Sequence, residues 1–69
     1  MTEIEFLIHL GARIKQLRMA KNISQKDLAL ECSFEKSSMS RIESGKTNIT
    51  ILTLCKIGNA LQADIREFF

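Results

Sequence analysis

The chain has no proline, tryptophan or tyrosine, and only three glycines, two cysteines and one histidine among its 69 residues. Each scarcity removes a class of function. Cys32 and Cys55 are far apart, form no CxxC pair and have one distant histidine, so no zinc site can be assembled from them. Both fall within apolar patterns and are expected as small, reduced core residues. His9 has no serine or carboxylate arrangement suited to nucleophilic or acid–base catalysis, and neither cysteine has a base nearby in sequence. No glycine-rich phosphate loop is present, so the chain is expected not to be an enzyme and to need no cofactor or metal. No apolar run approaches the roughly 18 residues a membrane helix requires. The start, MTEIEFLIHLG, lacks the basic region of a signal peptide, and the expected location is the cytoplasm. No repeat, low-complexity tract or linker interrupts the chain, which is read as a single domain over 1–69.

What is present is charge, unevenly placed. The net charge is +2, but residues 13–46 carry eight basic groups against four acidic ones. The first twelve residues, with Glu3 and Glu5, are negative, and 47–69 balance. A basic middle between non-basic ends predicts one charged face.

Helix starts recur along the chain. Ser24 with Asp27, flanked by Ile23 and Leu28, has the spacing of a polar N-cap within an apolar staple. Thr50, Asp64 with Glu67, and Thr2 with Glu5 repeat the signal. The apolar spacing then predicts helices over about 3–21, 25–32, 36–44 and 51–61, with a fifth opening at Asp64. Phe6, Leu10, Ile14 and Leu17 form the stripe of the first. Asn22 and Gly45 suit left-handed terminators. Glu35, a poor cap compared with serine or aspartate, precedes the third helix. No window alternates for long enough to be a strand. The fold class is all-α, a compact bundle of five short helices.

Helices 25–32 and 36–44 are joined so tightly that they predict a helix-turn-helix unit, about 24–44, with Ala29 at the crossing. Leu28, Cys32, Phe34, Met39 and Ile42 are expected to point inward. The segment KSSMSRIES then poses a question. It holds four serines and only two large apolar side chains, and serine is a mediocre helix former. Wound as a helix, it sets Lys36, Ser37, Ser40, Arg41 and Ser44 on a short, donor-rich face without a carboxylate. Short hydroxyls let a helix lie deep in a groove, and Arg or Lys can donate to guanine O6 and N7 in the DNA major groove. A helix that reads DNA explains the serines, whereas a core helix does not. Most polar helix faces are merely solvated, but the tight turn and the basic middle argue against that here. Glu43 sits in the last turn, against the helix dipole, and needs a cationic partner. Arg18, beside Leu17 on the first helix, is the candidate for a partly buried pair.

Ile14, Leu17 and Arg18, then SQKDLA at 24–29, SRIESGK at 40–46 and LTLCKIGNAL at 52–61 together resemble the phage-repressor and Cro (XRE) family of helix-turn-helix proteins, over residues 10–68. The resemblance implies a lambda-repressor-like DNA-binding bundle with the third helix in the major groove. It implies phosphate contacts from Ser24 and Gln25, base-edge contacts from Lys36, Ser37 and Arg41 with Ser40 near the groove, and backbone contacts from Ser44, Lys46 and Asn48. The inward Arg–Glu pair of the family falls on Arg18 and Glu43. Two positions depart from the pattern: Ser33 replaces the usual turn glycine, and Glu35 the usual capping residue.

The expected function is sequence-specific binding of double-stranded DNA by a small transcriptional regulator or repressor acting through operator occupancy. A homodimer is the expected form, with Ile65, Phe68 and Phe69 as candidate contacts, although closure of the monomer's own core would use the same residues. No small-molecule ligand is implied. The competing reading is a protein-interaction module that keeps the fold with weak or no DNA binding, favoured by Glu35 and the low net charge.

Overall fold

A computed structural model describes the chain from residue 1 to residue 69. Four α-helices follow one another: α1 Glu3–Ala20, α2 Gln25–Glu31, α3 Lys36–Glu43 and α4 Ile51–Leu61. The fifth element is not an α-helix. Ile65–Phe68 is a single 3₁₀ turn, closed by Glu67 N–H donating to the Asp64 carbonyl at 2.9 Å and Phe69 N–H to that of Arg66 at 3.3 Å. Four residues do not sustain the cooperative i→i+4 ladder, and the tighter turn is what remains.

The starts follow their local chemistry. Thr2 and Glu5 form a reciprocal capping box, Glu5 N–H to Thr2 Oγ1 at 3.1 Å and Thr2 N–H to Glu5 Oε1 at 3.0 Å. These bonds favour the carboxylate and hold the Glu5 carboxyl below its usual pKa of 4.5. Ser24 caps α2 through Asp27 N–H, and Thr50 caps α4 through Thr53 N–H. Asp64 and Glu67 box the final turn, and the Arg66 guanidinium beside Asp64 lowers that carboxyl's pKa. α3 differs from the others: Glu35 makes no side-chain cap.

All four helices end alike, with a left-handed residue and two backward hydrogen bonds that satisfy the terminal carbonyls. The left-handed residues are Asn22, Ser33, Gly45 and Gln62. Behind α2, Phe34 N–H reaches Ala29 O at 2.8 Å and Ser33 N–H reaches Leu30 O at 3.1 Å, which sets the turn between α2 and α3. Ser33 thus takes a glycine-like conformation at φ 59°, and the turn keeps its shape at some cost in strain.

The core joins Leu10 and Ile14 of α1, Leu28, Ala29 and Cys32 of the α2 region, Met39 of α3, and Leu54, Ile57 and Leu61 of α4. Phe68 completes it. Its ring is wholly buried beside Gly58, so the aromatic candidate for a dimer contact is instead the plug of the monomer core. Ile65 packs half-buried against the same cluster, while Phe69 points outward and stacks on Phe6 with ring centres 5.9 Å apart. Phe6 is therefore part of the surface and not of the buried stripe. Cys32 is buried, which pushes its thiol pKa up, and Cys55 is half-buried; both are free thiols. No helix is long and apolar enough to cross a membrane.

Candidate nucleic-acid interface

The geometry of α3 is decided where it meets α1. Gly11 lies against the last carbonyls of α3, and a Cβ there would overlap the carbonyl oxygens of Ile42 and Glu43. Next to this contact Arg18 grips Glu43 with both arms of its guanidinium, Nε to Oε2 at 2.7 Å and Nη2 to Oε1 at 3.1 Å. The third arm, Nη1, donates to the Ile23 carbonyl at 2.8 Å. The pair is buried, with side-chain exposures of 10% for Arg18 and 3% for Glu43. A planar fork on a carboxylate fixes direction as well as distance, so α1 sets the angle at which α3 leaves the core.

Gln25 joins this network from the start of α2, its Nε2 donating to Glu43 Oε1 at 3.1 Å. The family resemblance implied a phosphate contact for Gln25. The structure finds it half-buried with one amide hydrogen directed inward, tying α2 to α3. Ser24 beside it is exposed, but its oxygen accepts from Asp27 N–H.

With Met39 and Glu43 turned inward, Lys36, Ser37, Ser40, Arg41 and Ser44 are all exposed on the remaining surface of α3. The face has no carboxylate along its length. At its N-terminal edge stands Glu35, exposed, with Ser37 Oγ donating to Oε2 at a long 3.4 Å. Ser44 folds back, its hydroxyl donating to the Ser40 carbonyl at 2.9 Å, which leaves its oxygen as an acceptor. Neither Lys36, Arg41 nor Lys46 has a carboxylate within ion-pair distance, for the two ion pairs of the molecule are Arg18–Glu43 and Arg66–Asp64. Cations without carboxylate partners on one face are free to meet phosphates and base edges.

Between α3 and the start of α4 runs a cleft of about 310 Å³. Arg41 stands at it, with Ser38, Thr47, Asn48, Thr50 and Thr53 supplying polar groups. Asn48 Oδ1 accepts from Ile49 N–H at 2.9 Å, which leaves its amide hydrogens as donors. Ser38, Thr47 and Thr53 were not among the residues singled out from sequence. Only the fold of the 45–50 loop brings them beside Arg41, and no local pattern signals it. The same holds for Lys56, whose ammonium lies 5.4 Å from the centre of the Phe34 ring at the turn.

The helix-turn-helix family pattern HTH_3 matches residues 14–68. The control protein C.BamHI of Bacillus amyloliquefaciens is 38% identical over 52 residues, which is 74% of this chain and 64% of that protein. The chain thus spans just under two thirds of that relative's length. The control protein C.MunI of a Mycoplasma species is 33% identical over 63 residues, covering 90% of this chain and 85% of the relative. Among solved structures, the restriction–modification controller protein C.AhdI from Aeromonas hydrophila superposes over the whole of both chains with a TM-score of 0.94 at 30% identity. The chain belongs to the HTH_3 helix-turn-helix family, and with it to DNA-binding transcriptional regulators and not to enzymes.

Proposed function

We propose that these 69 residues act as one cytoplasmic domain, a sequence-specific regulator that occupies an operator as a homodimer and controls a restriction–modification system. The restriction–modification setting rests on likeness to C.AhdI, which is named for that role, and to the control proteins C.BamHI and C.MunI. The observation that carries the DNA reading is the α3 face: exposed hydroxyls and unpaired cations on a short helix whose direction is fixed from beneath by Arg18 and Glu43. In this reading Lys36, Ser37 and Arg41 meet base edges, with Ser40 close to the groove floor. Ser44, Lys46 and Asn48 meet the backbone on one flank. Ser24 and the outward hydrogen of Gln25 meet it on the other.

Two copies are expected because one eight-residue helix reads too few base pairs to single out a site. Symmetric pairs of such domains read half-sites about 34 Å apart on one DNA face. The longest dimension of this chain is 30 Å, so two copies side by side suit that spacing. Selection from a random duplex pool tests the proposal. A two-fold symmetric site, with affinity falling by a slope of about 0.9 per neutralised phosphate as salt rises, is the expected result. Weak binding without sequence preference and with a shallow salt slope would instead favour the protein-interaction module.

A further inference from the structure

Glu35 is the side chain least suited to a surface that meets DNA. It is exposed at the start of α3, directly before Lys36. Two ordinary uses are open to it, and it takes neither. Its backbone, at φ −75° and ψ 150°, lies in the extended region from which Thr2, Ser24 and Thr50 cap their helices, yet its side chain caps nothing. No cation answers it either, since neither Lys36 nor Arg41 lies within ion-pair distance of any carboxylate. Its one contact is Ser37, whose hydroxyl donates to Oε2 at 3.4 Å, and Oε1 is left without a donor.

The contact with Ser37 locates the carboxylate. Ser37 and Arg41 stand two residues on either side of buried Met39, so both project from the opposite side of the helix. A carboxylate that reaches Ser37 therefore overhangs the outward midline of α3. In the major groove it would meet lone pairs almost everywhere. Phosphates, guanine O6 and N7 and thymine O4 all repel it, and only the amino groups of cytosine and adenine offer hydrogens. Adenine N6 stands beside N7, whose lone pair would oppose the second carboxylate oxygen. Cytosine N4 stands beside a C–H and brings no such conflict.

We infer that Glu35 is a specificity-determining residue, accepting a hydrogen bond from the N4 amino group of a cytosine in the operator. The inference rests on the reading of α3 as the helix in the major groove, and it gives that surface its one charged acceptor. The cations beside it only donate. An ammonium alone does not tell guanine from the N7 of adenine or the O4 of thymine, because all three present acceptors. A G·C pair sets guanine O6 next to cytosine N4 in the groove, so Lys36 and Glu35, adjacent in the chain, divide the pair between them. Reversing the pair brings a lone pair against the carboxylate and an amino group against the ammonium. The charge thus costs affinity on every duplex and least on the correct one, which is how a repulsive group sharpens selectivity. The same residue that weakens general attraction to DNA becomes the one that narrows the choice of site.

The test uses the full chain, the duplex it selects from a random pool, and the variants Glu35→Ala and Glu35→Gln, with circular dichroism to check folding. Each cytosine of the selected site is replaced in turn by N4-methylcytosine, which keeps the pairing hydrogen and removes the one that faces the groove. One replacement should weaken the parent about 10-fold and leave Glu35→Ala almost unaffected. Glu35→Ala should also bind random duplex more tightly than the parent does, and should tolerate any base at that position. Glu35→Gln, which keeps an acceptor oxygen, should retain part of the preference. The inference is overturned if no methylated cytosine separates the parent from Glu35→Ala, or if that variant tightens on all duplexes equally with its base preferences intact. Loss of preference in Arg41→Ala would then still leave α3 as the reading helix. A parent that selects no sequence removes the proposed function and this inference together.

Discussion

The two ends of α3 are built in opposite ways. At the C-terminal end Glu43 accepts from Arg18 and Gln25, Gly11 brings α1 against the final carbonyls, and Gly45 closes the helix at φ 73°. At the N-terminal end Glu35 gives no cap, and the first N–H groups point out without a side-chain partner. The clamped end fixes where the helix points. The bare end keeps backbone donors and short hydroxyls for whatever lies in front of them. A reading helix needs both properties, and the chain obtains them by placing its one buried ion pair at the far end from Lys36 and Ser37.

Breaking the clamp should have the largest effect. Glu43→Ala leaves Arg18 buried without its carboxylate and should cost about 3–5 kcal/mol in urea unfolding. Arg18→Met combined with Glu43→Leu should lose much less than the sum of the two single losses. Gly11→Ala presses a methyl into the Ile42 and Glu43 carbonyls, and the forced shift of α1 should cost about 1–3 kcal/mol by the same measurement. Making the bare end resemble the others sharpens the comparison from the opposite side. Glu35→Ser supplies the missing cap and should stabilise by about 1 kcal/mol, while removing a negative charge from the DNA side and tightening binding to duplex. Ser33→Gly relieves a left-handed serine but loosens the unfolded chain, so a net gain of only about 0.5 kcal/mol is expected in thermal unfolding.

The smallest effect concerns α1. The Glu5 carboxyl is held below its unfolded value of 4.5, so its contribution is complete above that pH and fades as pH falls through the lower folded value. Amide exchange in the first turn of α1, corrected for the intrinsic rate, should accelerate in that acid window and not in α3, which has no such cap.

The parts of this architecture legible in sequence are those governed by neighbours in the chain. Thr2, Ser24, Thr50 and Asp64 announced helix starts because a cap acts within three residues, and Asn22 and Gly45 suited the left-handed ends they occupy. Glu43, charged against its own helix dipole, pointed to Arg18, and the two meet at 2.7 Å. What sequence left hidden depends on direction in space. Phe68 and Phe69 are adjacent and chemically identical, yet the pitch of one 3₁₀ turn sends the first into the core and the second to the surface. Ser33 and Gln62 take left-handed conformations because the next element must start in a given direction, a demand that propensity does not express. Gln25 turns toward Glu43 only because α1 has already brought that carboxylate beneath α2. Phe6 read as the start of the core stripe of α1, and only the packing shows that it stays outside, exposed as Ile4 and Ile8 are.

Paired binding measurements on Arg41→Ala and Lys46→Ala test most directly whether α3 reads bases while its flanks hold phosphates. Each variant is titrated with the selected operator and with random duplex across a salt series. Arg41→Ala should lose about 1–3 kcal/mol on the operator, relax preference at one base position and bind random duplex nearly as the parent does. Lys46→Ala should weaken both duplexes alike and reduce the salt slope by about one phosphate contact. If both variants bind both duplexes as the parent does, α3 is not the surface that meets DNA.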